Sequence, residues 1–245
     1  MKTIKLSVIL IGMIISSGLT AENSGKDKKA ESIVGEVLKK LSPGEWQASY
    51  RFTNYRTDGT EKSYLLDILA KNSRTIHIIF KSPATESGRQ ILNKDGEIWS
   101  YLPDSRKVVR LADRDSIANG DFNNADVMKL NWLEEYNVNV IKESEKQIVI
   151  DMTAKPEKAT TYFIIRLWVN KKDNQPIQQY FYDNSGHHLK TLKYRDVKNF
   201  HGIIRPAQLV MENVVTGQRT HLEIMDFNKK ENLPDSRFLQ ESLGK

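Results

Sequence analysis

Five histidines, a cluster of aspartates and a set of large aromatic residues are the side chains with chemical potential in this 245-residue sequence. The histidines are His77, His187, His188, His201 and His221, and none stands at metal-ligand spacing from another histidine or an acid. His187 and His188 follow the turn glycine Gly186, where a solvated loop accounts for them. Asp113, Asp115, Asp121 and Asp126 lie close together, but their intervals do not match a calcium loop. As helix caps and turn formers they need no ion. No Gly-x-Ser-x-Gly elbow, glycine-rich phosphate loop or dinucleotide fingerprint occurs. The absence of cysteine excludes thiol nucleophiles, thiolate metal sites and disulfides. These residues therefore predict no enzyme, no metal and no cofactor. What remains are Trp99, Tyr101, Phe122, Trp132 and Trp168, whose chemistry is apolar contact: a packed core or the lining of a lipid site.

The N-terminus sets the compartment. Lys2 and Lys5 precede an almost unbroken apolar run from Leu6 to Ile15, followed by small residues up to Ala21. The run is shorter than the roughly 20 residues a membrane-spanning helix needs. It reads as a secretory signal peptide cut after Ala21, and no cysteine at the cut marks a lipidated type. Removing residues 1–21 takes two lysines and no acid, so 37 basic and 31 acidic residues become 35 and 31, a net charge of +4. That suits transient contact with an anionic membrane surface and falls short of a nucleic-acid footprint. A hydrophobic share of 39% and a charged share of 28% belong to a globular chain. The expected location is the bacterial periplasm.

The elements that position the aromatic residues follow from periodicity. Residues 22–29 are small and charged and read as a flexible leader. Ile33, Val34, Val37, Leu38 and Leu41 recur at helical spacing, predicting a helix over residues 30–41 that stops at Ser42-Pro43-Gly44. The period then changes to two. Trp46, Ala48, Tyr50 and Phe52 alternate with polar residues, as in a half-buried strand. Alternation and turn signals continue to residue 111, break over 113–136, and resume from 137 to 228. The break suits one or two short helices capped at Asn123 or Asn124. About a dozen antiparallel strands result, joined mostly by hairpins, in a single domain over residues 30–245.

So many hairpins cannot stay flat, because twist accumulates. Several strands carry apolar residues on both faces. Phe163, Ile165, Leu167 and Val169 share one side of a strand whose other side holds Tyr162, Ile164, Arg166 and Trp168. A curled sheet covered by helices, a closed barrel or a sandwich each explain this, with either a dry core or a cleft inside. An outer-membrane barrel does not, since residues 188–197 place Lys190 and Asp196 on one face and Lys193 and Arg195 on the other.

One stretch carries a resemblance. Gly88-Arg89-Gln90-Ile91-Leu92 leads into Ile98-Trp99-Ser100-Tyr101-Leu102-Pro103, then Ser105-Arg106-Lys107-Val108-Val109-Arg110-Leu111, and Gly120-Asp121-Phe122 with Asp126-Val127 follow. This resembles the outer-membrane lipoprotein-sorting family and the wider LolA-like group of periplasmic carriers. The resemblance implies a mainly β fold, an unclosed half barrel of about eleven antiparallel strands with helices as lid. It implies a carrier of lipoprotein acyl chains, or of another lipid, between an inner-membrane exporter and an outer-membrane acceptor. The alternative is a non-transporting accessory subunit of an RND-type exporter, or an envelope sensor. Combined with the alternation, it makes Trp99, Tyr101, Ile165, Leu167, Phe181 and Leu209 the expected cavity wall. Phe122, Val127, Met128 and Trp132 become the expected lid, and Arg89, Arg106 and Arg110 the candidates for a lid latch.

Overall fold

The computed structural model describes residues 17–245, with side chains from residue 27 onward. The expected signal peptide lies for the most part outside the described residues. The first helix, α1, spans Ser17–Leu41 and so begins thirteen residues before its expected start. The leader expected over 22–29 is therefore helical here. Its residues carry no apolar stripe to announce a helix, yet its lysines and Glu22 are good helix formers that extend the packed segment backwards.

Thirteen strands follow: β1 (Trp46–Tyr55), β2 (Glu61–Asn72), β3 (Thr75–Ser82), β4 (Gln90–Lys94), β5 (Glu97–Leu102), β6 (Lys107–Leu111), β7 (Tyr136–Glu143), β8 (Gln147–Ala154), β9 (Ile164–Asn170), β10 (Pro176–Tyr182), β11 (His188–Phe200), β12 (Ile203–Asn213) and β13 (Arg219–Lys229). They form one antiparallel sheet in the order β6-β5-β4-β3-β2-β1-β13-β12-β11-β10-β9-β8-β7. Two meanders are thus joined at the centre by β1 pairing with β13, and β6 and β7 are left as the two free edges. The sheet is unclosed, as expected, with two strands more than the resemblance implied. Residues 112–135, with α2 (Asn124–Met128) and α3 (Trp132–Glu135), run from one free edge to the other.

Alternation decides which side is inside. Trp46, Ala48, Tyr50 and Phe52 of β1 share one buried cluster with Ile76, Ile78 and Phe80 of one wing and Ile150, Leu167 and Val169 of the other. Residues from both wings meet in one core only if the sheet curls around it. Ile33, Val34 and Val37 of α1 and Phe122, Met128 and Trp132 of the insert belong to the same cluster, closing the concave side. A bulge opposite Ser49 and Tyr50 leaves Met225 exposed and lets both Ile224 and Phe227 point inward.

The outer face explains the second set of apolar residues. Leu69 and Leu92 form a separate cluster with Phe238 and Leu243, and Trp99, Tyr101 and Leu233 pack against it. The C-terminal residues 230–245 fold back in short 3₁₀ turns and cover that patch. Lys71 holds them down, donating to the Leu233 carbonyl at 2.8 Å and pairing with Glu45 and Asp235.

Candidate functional site: a lidded apolar cavity

The insert is seated by a buried polar knot and one aromatic contact. Asn54 on β1 donates its Nδ2 to the Ala118 carbonyl at 2.7 Å, and the Thr220 hydroxyl on β13 donates to Asn54 Oδ1 at 2.9 Å. The same hydroxyl accepts the Asp121 backbone N–H at 2.9 Å. Phe122 then drops into the core and meets Phe52 edge-on, with ring centroids 5.6 Å apart. Gly120 lies against Asn54 and Thr220, and its position leaves no room for a side chain. The motif Gly120-Asp121-Phe122 is therefore an anchor.

Helix α2 continues from this anchor. Asn123 has extended backbone before the helix, and its N–H is accepted by Asp126 Oδ2 at 2.8 Å, a reciprocal device of the capping-box kind. Asp126 also accepts from the Tyr162 hydroxyl at 3.2 Å and lies 3.9 Å from Lys190 Nζ. Lys190 reaches across from β11 to donate to the Asp121 carbonyl at 2.6 Å and Asn123 Oδ1 at 3.0 Å. On the other wing, Asn93 of β4 donates to the Met128 carbonyl at 2.6 Å. Lys129 bridges Asp113 at 2.8 Å and Glu135 at 3.0 Å. Three of the four clustered aspartates are thus occupied in seating the insert, and Asp115 accepts the Ala112 N–H at 2.7 Å in the turn before it.

Behind the insert lies a cavity of about 70 Å³. Ile165, Phe181, Leu209 and Leu222 line it from the sheet, Phe122, Val127 and Trp132 from the insert. Polar groups enter at two places. Asp126, Tyr162 and Tyr136 stand on the lid side, and Arg205, Tyr50, Tyr194 and Gln179 on the sheet side. Burial pushes the Asp126 carboxyl above the usual aspartate range, against the pull of Lys190 and its two hydrogen bonds. Burial likewise raises the phenols of Tyr136, Tyr162 and Tyr194.

Placed against these observations, Ile165, Phe181 and Leu209 line the cavity, as do Phe122, Val127 and Trp132 of the insert. Leu167 and Met128 are fully buried beside it in the core. Trp99 and Tyr101 do not line it. Ile98 and Ser100 take the inner positions of β5, so the two aromatic residues face outward under the C-terminal segment. The error is one residue of register, which inverts every side chain of a strand. None of the three latch candidates reaches the cavity. Arg89 pairs with Glu86 at 3.2 Å, Arg110 pairs with Glu97 at 3.1 Å, and Arg106 is exposed in the β5–β6 turn. The arginine at the cavity is Arg205, whose Nη1 donates to the Leu41 carbonyl at the end of α1 at 3.0 Å. Sequence reading missed it and Lys190 alike. The signal available was a charged residue in an otherwise apolar inner register, shared with Ala207, Leu209 and Met211.

A raised carboxyl inside the lid gives a pH prediction with a fixed sign. A group whose value is higher in the folded state stabilises that state below the ordinary aspartate range and loses this effect as pH rises through the raised value. The lid should therefore sit most firmly in acid and loosen toward neutral pH. Asp126→Asn keeps an acceptor for the Asn123 N–H and removes the titration. Its melting midpoint should exceed that of the wild type at pH 8, and the difference should close as the pH falls into the ordinary aspartate range. Melts of both proteins across this range test it, and parallel profiles would contradict the assignment.

A family model described as "Uncharacterized protein" matches residues 71–245. A search of curated proteins finds no match. Among solved structures, a LolA superfamily protein from Nitrosomonas europaea aligns over 87% of this chain and 99% of its own at 26% identity and a TM-score of 0.78. A DUF1329 family protein from Desulfovibrio piger aligns over 89% and 99% at 20% identity and a TM-score of 0.80. An outer membrane lipoprotein-sorting protein domain from Vibrio parahaemolyticus aligns over 89% and 100% at 21% identity and a TM-score of 0.77. The last two share the fold, with the same curled sheet and nearly full mutual coverage. With a family model spanning residues 71–245 and the Nitrosomonas europaea neighbour at 26% identity, the chain belongs to the LolA-like family.

Proposed function

We propose that this protein is an exported periplasmic carrier that shelters the acyl chains of a lipoprotein or another lipid on their way to the outer membrane. The observation that carries the reading is the apolar cavity enclosed between two free sheet edges by an insert with its own anchor. Its volume of about 70 Å³ is far below the roughly 300–1,000 Å³ of an occupied ligand site. The closed form therefore has no room for a chain, and the lid side chains fill the space a chain would take.

That exchange gives the energetics a carrier requires. A sixteen-carbon chain leaving water gains about 12 kcal/mol at about 0.8 kcal/mol per CH₂. Lifting Phe122, Val127, Met128 and Trp132 out of the interior costs about 1.5–3 kcal/mol each, or roughly 6–12 kcal/mol together. The two terms nearly offset, so the chain is held without being trapped and passes to an acceptor. Protein isolated from the envelope should carry acyl lipids detectable by mass spectrometry, and its mature N-terminus should be Glu22. Isolation without any acyl chain, together with failure to bind a fluorescent fatty-acyl probe, would overturn the reading.

A further inference from the structure

We infer that the cavity selects acidic lipids, with the Arg205 guanidinium receiving the carboxylate or phosphate of an anionic amphiphile. The inference rests on the carrier reading and adds the chemical class of its cargo. Arg205 is 4% exposed and stands on the inner face of β12, among the residues that line the cavity. Among the described residues no carboxylate lies within salt-bridge distance of it, whereas Asp126 at the lid side is claimed by Asn123, Tyr162 and Lys190. Its compensation is neutral: the Leu41 carbonyl at 3.0 Å, the Tyr50 hydroxyl beside it, and the Phe227 ring, 4.1 Å from the guanidinium carbon. Its Nε is buried without a partner.

A tether for α1 needs one donor, and a guanidinium has five in a planar fork suited to carboxylate or phosphate. A buried cation lacking an anion is strongly unfavourable unless a partner arrives. The surrounding groups favour an amphiphile over a free ion. Leu209 and Leu222 supply apolar wall beside Arg205, and the Tyr194 hydroxyl donates to Gln179 Oε1 at 3.0 Å nearby. The position of Arg205 also sets a direction, because the acids of the lining, Asp113, Asp126 and Glu135, come from the insert. An acidic head drawn to Arg205 on the sheet side leaves the chain to replace the lid residues.

The test is displacement of the uncharged probe N-phenyl-1-naphthylamine from the mature protein at pH 8. Palmitic acid and lysophosphatidic acid should compete at concentrations at least tenfold below those of hexadecanol and lysophosphatidylcholine. If only one acid does so, the head group is identified as carboxylate or phosphate. Arg205→Met should bring the acids to the level of hexadecanol measured on the same variant, and Arg205→Lys should keep a preference for acids. Equal competition by acid and alcohol in the wild type overturns the inference and leaves the carrier reading intact, as does a preference surviving in Arg205→Met. Failure of all four lipids to compete removes the carrier reading and this inference together. If Arg205→Met does not fold, the wild-type comparison and Arg205→Lys decide.

Discussion

Gly120→Ala is expected to lower stability by about 3 kcal/mol, and the melting midpoint by roughly 6–12 °C. A Cβ at this position would stand 2.1 Å from Asn54 Oδ1 and 2.5 Å from Thr220 Oγ1. Neither atom is the free end of a mobile chain. Asn54 is tied to the Ala118 carbonyl, and the Thr220 hydroxyl to Asn54 and the Asp121 N–H. Relieving the contact breaks at least one of these buried bonds, and a stranded donor or acceptor costs about 1–3 kcal/mol. The loss falls on the seat of the insert, so hydrogen exchange over residues 112–135 should rise more than over β1 and β13. Gly35→Ala is the control, because nothing lies within 4 Å of its added carbon and the site is helical. Gly120→Ala melting within a degree of the wild type, with an equally protected insert, would dispose of the anchor.

This anchor also shows where sequence reading succeeds and where it stops. The inner register of β1, with Trp46, Ala48, Tyr50 and Phe52 buried, follows from alternation, because one face of that strand is polar. The insert is visible as a break in the period, and residue type narrows its cap to Asn123 or Asn124, of which the structure uses Asn123. The register of β5 is not legible in the same way. Trp99 and Tyr101 are larger and more apolar than Ser100, yet Ser100 is the buried one. Alternation tells faces apart only when one of them is wet, and here residues 230–245 cover the outer face. That tail has no regular period to announce it.

The charged residues failed for a related reason. Arg205 and Lys190 read as surface charges until the curl of the sheet brings their inner faces against α1 and the insert. Arg89, Arg106 and Arg110 sit in the most recognisable stretch, but pairing with Glu86 and Glu97 or exposure in a turn keeps them from the lid. A motif marks where a fold is recognised. The side chains that work inside it are set by topology, which here brings residues more than 160 apart, Leu41 and Arg205, into one hydrogen bond.

Fixing the insert to the sheet should abolish lipid uptake. Arg74, in the turn between β2 and β3, pairs with Glu134 of α3 at 3.1 Å, and both side chains are largely exposed. An exposed pair of this kind contributes little by itself, about 0–1 kcal/mol, so replacing it leaves the fold intact. The chain has no cysteine, so Arg74→Cys with Glu134→Cys provides the sole thiols, and a short bis-maleimide can span them. The uncross-linked double variant should take up a fluorescent acyl lipid from vesicles like the wild type. Once cross-linked, it retains only the closed cavity of about 70 Å³, smaller than any acyl chain of membrane length. The volume argument allows no partial effect: uptake should fall by at least an order of magnitude, because only the lid-open population binds. Cross-linked protein that loads as fast as the uncross-linked double variant would mean that the chain enters elsewhere, and the insert would then be a plug with no gating role.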